Sequence, residues 1–392
     1  MKRERKYNQI IVVHLIEQFR QYEQNPPPIP GFSRSRLEYI IHLIVSHKKK
    51  KHRGSWAVLY MPYMLNIIPR ADKYLEFLKK EGIIEWQNYS AGRNSRLYRL
   101  VIEGRTEIYP ITDKKIIKRL EDNTKNRTSH NSRKYPYLNR WIYQIEIDKN
   151  GALDTIEKEY QRDVKVDKIR AEYRRTYSLG ALLKLESGEI YIKVSPTNNR
   201  LDSNVTNLPK ELLKHVTING CHLREMDISN SQPFFSACLF SPTPEIEAVI
   251  TGYLGKSYTM LAKTLQVNDK EDVKRYCELV TSGKFYEYMM GKFKEHNIPF
   301  KDRKDVKEQL FIIFFGKNSQ TRYNPAVRLF KSEFPNVFKL FAYIKSKNHN
   351  RLAILLQRIE AYVILERVAE KITERLPNQP FLTKHDSILP FK

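Results

Sequence analysis

No uninterrupted apolar run in the 392-residue chain exceeds six residues, the length of the run at positions 310–315. A helix that crosses a bilayer needs roughly 18 to 20 such residues, so the sequence predicts no transmembrane segment. The first residues, MKRERKYNQ, are charged and lack the apolar region of a secretory signal. Three scattered cysteines form neither a disulfide framework nor a zinc-binding spacing, which favours a reducing compartment. We therefore expect a cytoplasmic protein that has no membrane partner.

The charge of the chain is strongly and unevenly positive. Lys and Arg number 69 against 44 Asp and Glu, which gives a net charge of +25. Residues 1–140 hold 29 of the basic and 13 of the acidic side chains, a net charge of +16 in about a third of the chain. This concentration favours a polyanionic partner, for which nucleic acid is the best candidate. The alternative is an ordinary enzyme with a solvated, lysine-rich surface.

Periodic patterns in the N-terminal third predict three helices followed by two strands. The predicted elements are helices over residues 8–24, 36–46 and 71–80 and strands over residues 83–86 and 97–101. A proline-rich stretch ends the first helix, and Gly82 stands at the end of the third. In the third helix, Tyr74, Leu75 and Leu78 are expected to face inward.

The two predicted strands form a hairpin with a basic edge, made by Arg93, Arg96 and Arg99. Helices followed by such a hairpin resemble a winged helix-turn-helix domain, which places a helix in a groove of duplex DNA and the wing on phosphates. A wing used only for packing or dimerisation would show the same pattern. We predict a winged-helix-like domain over residues 1–108 and a basic linker or arm over residues 109–142.

Two stretches in the C-terminal part carry candidate chemistry. In HLREMDISNSQPFF, a short apolar segment, expected to be a buried strand, ends at a single acid, Asp227. In RKDVKEQLFIIFFGKN, the residues Arg303, Lys307, Phe311 and Phe315 recur every four positions and share one face of a predicted helix. Val306, Leu310, Ile313 and Phe314 lie beside this face and are expected to pack the helix down. Two cations followed by two aromatic rings can hold a triphosphate at one end and a base at the other.

The order of these motifs is more informative than any one of them. Asp227 is followed by the Arg-x3-Lys-x7-Phe-Gly helix and then by His385-Asp386 in a hairpin-like setting. This order resembles motifs A, B and C of the family A DNA polymerases and of the phage-type RNA polymerases. Two further segments are similar to that family: one with Arg200 and Asn207 before motif A, and one that begins at Gln357 before motif C. The resemblance covers about residues 197–392.

The resemblance implies an α+β palm-and-fingers domain, an antiparallel sheet with packed helices, over residues 143–392. Asp227, Asp386 and the backbone carbonyl of Ile228 would hold two Mg²⁺ ions, for which Mn²⁺ could substitute. Lys307 would donate a proton to pyrophosphate, and Arg303 would clamp the phosphates. The remaining implied contacts are Phe311, Phe315 and Gln232 with the nucleotide, and Arg200, Asn207, Gly316, Gln357 and His385 with primer and template.

Several features depart from that family. The interval from Gly316 to Asp386 is short, so a trimmed fingers region is expected, and Asn199 stands where a glycine usually precedes the upstream arginine. The chain also ends six residues after Asp386, where relatives usually continue, so either the C-terminal packing is minimal or the sequence is a fragment.

Two of the implied nucleotide contacts bear on the choice between dNTPs and NTPs. Gln232 stands where DNA polymerases carry a bulky side chain that blocks a ribose 2′-hydroxyl, and Phe315 lacks the hydroxyl that RNA polymerases use there. The segment FFSACL is more similar to the RNA polymerases.

We therefore expect a minimal DNA polymerase that uses dNTPs on primer-template DNA and replicates a plasmid, phage or other mobile element. The alternatives are a primase or phage-type RNA polymerase that uses NTPs, and a DNA-binding regulator built on a degenerate polymerase.

Overall fold

A computed structural model of the chain has a mixed α+β fold with many helices and several small sheets. It describes residues 9–13, 16–47, 56–88, 96–101, 106–131, 135–255, 269–321 and 323–392. Within these ranges no helix combines the length and the apolar character needed to cross a bilayer. The general prediction of an α+β protein is confirmed.

The chain divides into two compact units. The first comprises residues 1–193, 202–224 and 391–392, and the second comprises residues 194–201 and 225–390. This division differs from the predicted boundaries after residues 108 and 142. The chain leaves the first unit after residues 193 and 224 and returns to it after residues 201 and 390.

The first unit combines helices with short strands. Its helices are α1 (Ile16–Gln24), α2 (Arg34–Ser46), α3 (Met61–Ile67), α4 (Ala71–Lys80), α5 (Lys114–Asn131), α6 (Pro136–Ile142), α7 (Lys149–Asp163) and α8 (Lys168–Glu186), and a 3₁₀ turn covers Lys210–His215. The strands up to the end of this unit are β1 (Gln9–Val13), β2 (Ala57–Val58), β3 (Ile84–Gln87), β4 (Leu97–Leu100), β5 (Thr106–Pro110), β6 (Glu146–Ile147), β7 (Ile192–Val194), β8 (Leu201–Ser203), β9 (Val216–Ile218) and β10 (Cys221–His222). The larger sheets have the strand orders β2-β4-β3 and β10-β9-β6.

Helix α4 and the hairpin after it match the sequence prediction closely. Tyr74, Leu75 and Leu78 are all buried, as their spacing predicts. Gly82 follows the helix with φ +67°, a left-handed conformation that glycine adopts without strain. Strands β3 and β4 then pair antiparallel. The basic tip of the hairpin, residues 89–95, lies outside the described residues, and Arg93 with it.

Two predictions for the first unit are wrong in detail. Residues 9–13 form strand β1, which pairs with β5, so the predicted helix over 8–24 is confined to α1. The run QIIVV is rich in β-branched residues, which favour strands over helices. The predicted linker over residues 109–142 instead contains α5 and α6. In α5, Ile116 is fully buried and Arg119 donates to backbone carbonyls at the end of α3.

The second unit is built around a large aromatic core. Its helices are α9 (Ser231–Ala237), α10 (Pro244–Leu254), α11 (Glu271–Thr281), α12 (Phe285–Glu295), α13 (Arg303–Phe315), α14 (Asn318–Thr321), α15 (Pro325–Glu333), α16 (Pro335–Lys345), α17 (Arg351–Ala361) and α18 (Ala369–Arg375), with a π-helical segment at Tyr362–Val368. Tyr276 lies at the centre of the core, with its ring within 6.0 Å of Phe285 and Phe334. Its hydroxyl is satisfied by Ser236 at 2.6 Å.

A three-stranded antiparallel sheet completes the second unit. Strands β11 (Met226–Asp227), β12 (Phe381–Lys384) and β13 (Ser387–Pro390) have the order β11-β13-β12. Strand β11 is a short, exposed edge strand, which corrects the expectation of a buried strand before Asp227. Because only one neighbour covers an edge strand, the Asp227 side chain stays accessible.

Candidate active site

Asp227 and Asp386 are brought together by the small sheet of the second unit. Strands β11 and β13 pair so that Asp227 lies opposite Ser387, although the two residues are 160 positions apart in sequence. The Ser387 hydroxyl donates to Asp227 Oδ1 at 3.1 Å. Asp386 occupies the two-residue turn between β12 and β13, directly before Ser387. The two carboxylates predicted to share metal ions are therefore carried by neighbouring backbone segments.

Tight backbone geometry holds the two acids in place. His385, the other turn residue, has φ +56°, a left-handed conformation that is uncommon for a residue with a side chain. The Ile228 amide donates to the Asp386 carbonyl at 3.4 Å, so the chain after Asp227 runs beside the turn. His385 is exposed at this edge.

The oxygen atoms available here suit a hard divalent cation. Mg²⁺ in proteins is commonly held by one or two carboxylates, with water and substrate phosphates completing its coordination. Asp227, Asp386 and the Ile228 carbonyl form such a set. In the described part of the chain, no group of three or more His, Cys, Asp and Glu side chains is positioned to hold a metal ion. A metal ion held by these oxygens would need water and substrate oxygens to complete its coordination.

Helix α13 presents the predicted functional face. Val306, Leu310, Ile313 and Phe314 are fully buried, as predicted, and each such side chain stabilises the packed helix by roughly 1.5–3 kcal/mol. The neighbouring face carries Lys307 and two aromatic rings. The Lys307 ammonium lies 5.5 Å from the Phe311 ring centroid, and the Phe311 and Phe315 rings meet edge to face at 5.5 Å.

Arg303 connects α13 to the turn that follows Asp227. Its guanidinium donates to Asn230 Oδ1 at 3.1 Å and to Glu287 at 2.7 Å. Asn230 is buried, has φ +58° and starts α9, so its amide is a fixed partner. The Arg303 side chain remains 44% exposed. It can therefore reach a phosphate only by exchanging or sharing its contact with Glu287.

Sequence reasoning did not identify Glu360, which is the most buried acid of this region. Its side chain is 0% exposed and receives a bidentate ion pair from Arg200, at 2.8 and 2.6 Å. Gln232 donates from its amide nitrogen to the same carboxylate at 3.0 Å. Burial raises the pKa of the Glu360 carboxyl, while the Arg200 guanidinium opposes that rise. Two predicted site residues thus share one unpredicted partner.

The segment around Glu360 has an unusual helical geometry. Helix α17 ends one residue after Glu360 and continues as the π-helix at Tyr362–Val368. Such π-helical turns are rare and occur frequently at functional sites. On the same helix, Gln357 accepts from Asn198 at 3.0 Å, and Arg358 donates to the carbonyls of Thr197 and Pro196. The loop that carries Arg200 is therefore fixed to α17.

Other predicted contact residues have local structural roles. Asn207 lies in the first unit, where its side-chain nitrogen donates to the Tyr191 hydroxyl at 2.6 Å and to Asp202 at 2.5 Å. Gly316 ends α13, and a Cβ there would lie 2.7 Å from Ile312 atoms, so packing alone accounts for this glycine. Lys345, buried behind it, donates to the carbonyls of Ile313 and Gly316. Burial lowers the pKa of Lys345 to about 8.

The described arginines of the hairpin in the first unit are engaged with neighbouring side chains. Arg96 lies 5.1 Å from the Trp86 ring centroid, and Lys79 approaches the same ring at 4.2 Å. Arg99 forms an ion pair with Glu85 and lies 4.8 Å from the Trp56 ring. These contacts order the basic edge, and they would compete with a phosphate for Arg99.

A cavity of about 630 Å³ lies between α7 and α8 in the first unit. It was not predicted from the sequence. Tyr173 and Tyr177 stack at its edge, with ring centroids 6.5 Å apart. The guanidinium of Arg174 pairs with Asp163 and with Glu211. Because acids and bases alternate along its wall, the cavity has no uniform charge that would select an anion.

Comparison of the chain with protein-family models, with curated proteins and with solved structures finds no match. The resemblance to family A polymerases therefore rests on the sequence motifs alone.

Proposed function

We propose that the protein is a template-directed nucleotidyltransferase, a minimal DNA polymerase similar to family A. The observation that carries the proposal is the pairing of β11 with β13, which puts Asp227 next to the turn that contains Asp386. Two accessible acids on adjacent segments are what two-metal phosphoryl transfer requires. Helix α13, with its cation-aromatic face, is fixed through Arg303 and Asn230 to the turn that follows Asp227.

In this proposal, each part of the second unit has a separate task. When bound, the metal ions activate the primer 3′-hydroxyl and neutralise charge on the triphosphate. Asp227 and Asp386 hold those ions, with the Ile228 carbonyl assisting. Arg303 leaves Glu287 to bind phosphate oxygens, and Lys307 provides a proton for the departing pyrophosphate. Phe311 and Phe315 offer apolar surface to the nucleotide.

Within the first unit, residues 1–108 are proposed to bind the nucleic acid as a winged-helix-like domain. Its support is the arrangement of α2, α4 and the β3-β4 hairpin, together with the strong positive charge of residues 1–140. A site-binding module joined to a small polymerase suits the replication of a plasmid, phage or other mobile element in the cytoplasm.

Primer extension tests this function directly. Purified full-length protein is incubated with Mg²⁺ and a primed DNA or RNA template, with dNTPs and NTPs in parallel reactions. The proposal expects templated extension of the primer with dNTPs on DNA. Extension with NTPs alone, or synthesis without a primer, would support the primase or RNA polymerase alternative. DNA binding without any extension would support the regulator alternative.

A further inference from the structure

The hydrogen bond between Gln232 and Glu360 fixes the orientation of the Gln232 amide. An ionised carboxylate only accepts hydrogen bonds, so the nitrogen of the Gln232 amide must face it. The distance from Gln232 Nε2 to Glu360 Oε2 is 3.0 Å, and Arg200 Nη2 reaches the same oxygen at 2.6 Å. Arg200 thus favours the ionised carboxylate and holds it in place, and the carboxylate fixes the Gln232 amide.

The other end of the Gln232 amide has a different environment. Its oxygen, Oε1, is buried and accepts no hydrogen bond from any residue that the structure describes. A buried acceptor without a donor lowers stability, and such groups in native proteins call for a functional explanation. The Gln232 side chain is thus held in a defined position that does not satisfy both ends of its amide.

We propose that Glu360 is a positioning residue that clamps Gln232, so that the enzyme discriminates between deoxyribose and ribose. This inference rests on the proposed function and on the expectation from the sequence that Gln232 blocks a ribose 2′-hydroxyl. A glutamine has three side-chain torsions, and unclamped it would rotate aside to admit the hydroxyl. The hydrogen bond to a buried charged group removes that freedom. Glu360 acts through Gln232 and does not contact the nucleotide.

The position of Glu360 supports this role. Glu360 lies on α17 and Gln232 on α9, and the two residues are 128 positions apart in sequence. Asp386 contributes to the electrostatic environment of Glu360, so the clamp lies close to the proposed metal ligands. A residue placed there can influence the sugar pocket without belonging to the catalytic pair.

The test measures the ratio of dNTP to NTP incorporation by the full-length protein in primer extension. The Gln232→Met substitution keeps most of the side-chain volume, removes the bond to Glu360 and leaves the Arg200 ion pair intact. Glu360→Gln weakens the clamp from the other side. Gln309→Met serves as the matched control, because Gln309 lies on α13 and donates to the Pro299 carbonyl. Comparing kcat and KM for each nucleotide separates sugar selection from a general loss of activity.

We expect Gln232→Met to lower the dNTP:NTP ratio about tenfold, equivalent to about 1.4 kcal/mol. Glu360→Gln should lower it in the same direction, and Gln309→Met should leave it unchanged. In the double variant Gln232→Met/Glu360→Gln, the ratio should fall no further than in Gln232→Met alone, because both changes act on one contact.

The possible failures are distinguishable. If the wild type incorporates nucleotides and both single variants keep its dNTP:NTP ratio, the clamp is overturned and the proposed polymerase function is retained. Additive effects in the double variant would show that Glu360 acts independently of Gln232, which also overturns it. A wild type that incorporates neither nucleotide would overturn the proposed function and the clamp together.

Discussion

The buried Arg200–Glu360 ion pair makes a quantitative prediction about stability. Substituting Arg200→Met leaves the Glu360 carboxylate, whose side chain is 0% exposed, without its countercharge. Breaking a buried ion pair from one side costs about 3–5 kcal/mol. Arg200 is itself 22% exposed, and Gln232 still donates to Glu360 in the variant. We therefore expect a loss of about 3 kcal/mol in the free energy of unfolding at pH 7, at the lower end of that range.

The loss should depend on pH in a defined direction. The pKa of the Glu360 carboxyl is raised in the folded protein. The contribution of this carboxyl to the free energy of unfolding is therefore fully present below its pKa in the unfolded chain. The contribution declines as pH rises through its pKa in the folded protein. Removing Arg200 raises the folded pKa further and extends that decline to higher pH. The variant should therefore approach the wild type near pH 4 to 5 and fall behind it towards pH 7.

The assay must follow the second unit specifically. The three tryptophans, Trp56, Trp86 and Trp141, all lie in the first unit, so their fluorescence reports on that unit. Urea unfolding followed by far-UV circular dichroism, which reports on the helices of both units, should show the Arg200→Met effect, and tryptophan fluorescence shows how the first unit responds. The double variant Arg200→Met/Glu360→Gln should recover most of the loss and its pH dependence. A loss below about 1 kcal/mol at pH 7, or one equal at pH 5 and pH 7, would refute the reasoning.

Three further predictions concern the nucleotide, the nucleic acid and a buried lysine. Gln232→Gly should raise NTP incorporation relative to dNTP by a factor worth about 1–3 kcal/mol in primer extension, and equal use of both by the wild type would contradict this. Replacing Arg93, Arg96 and Arg99 with Gln in the full chain should weaken duplex DNA binding and flatten its salt dependence, and an unchanged slope in a fluorescence anisotropy titration would exclude these contacts. The pKa of Lys345, lowered to about 8, means that the unfolded chain binds more protons between pH 8 and 10. Between pH 8 and 10, the free energy of unfolding of the wild type should therefore rise by roughly 1–3 kcal/mol relative to that of Lys345→Met, as measured by urea unfolding. A difference between the two proteins that does not change with pH would contradict this.

Local periodicity predicted several elements well. The spacing of apolar residues in α4 and α13 predicted both helices and their buried residues, because these residues recur at helical intervals. The order of the acidic motifs also led to the pairing of Asp227 with the Asp386 turn. In each of these cases the signal is contained in a short segment or in a motif order.

The rest depended on contacts between distant segments. The partners of Glu360 are Arg200 and Gln232, and the first is 160 positions away, so the sequence around Glu360 resembles an ordinary amphipathic helix. Strand β1 was missed because its apolar residues also fit a helical period, and its partner β5 lies about 95 residues further on. Helix α5 was not predicted, because few apolar residues in this segment indicate a buried helix face.

Single-turnover primer extension by Asp227→Asn and Asp386→Asn tests the central proposal most directly. Both variants keep the volume of the side chain and remove a carboxylate charge that the proposal uses to hold metal ions. Asp269→Asn is the matched control, because Asp269 is an exposed acid in the same unit and has no proposed role. We predict that both site variants lose nucleotide incorporation by at least about a thousandfold, worth about 4 kcal/mol, while DNA binding and the control stay near the wild type. Near-wild-type extension by either variant in Mg²⁺ would contradict the assignment of Asp227 and Asp386 as metal ligands.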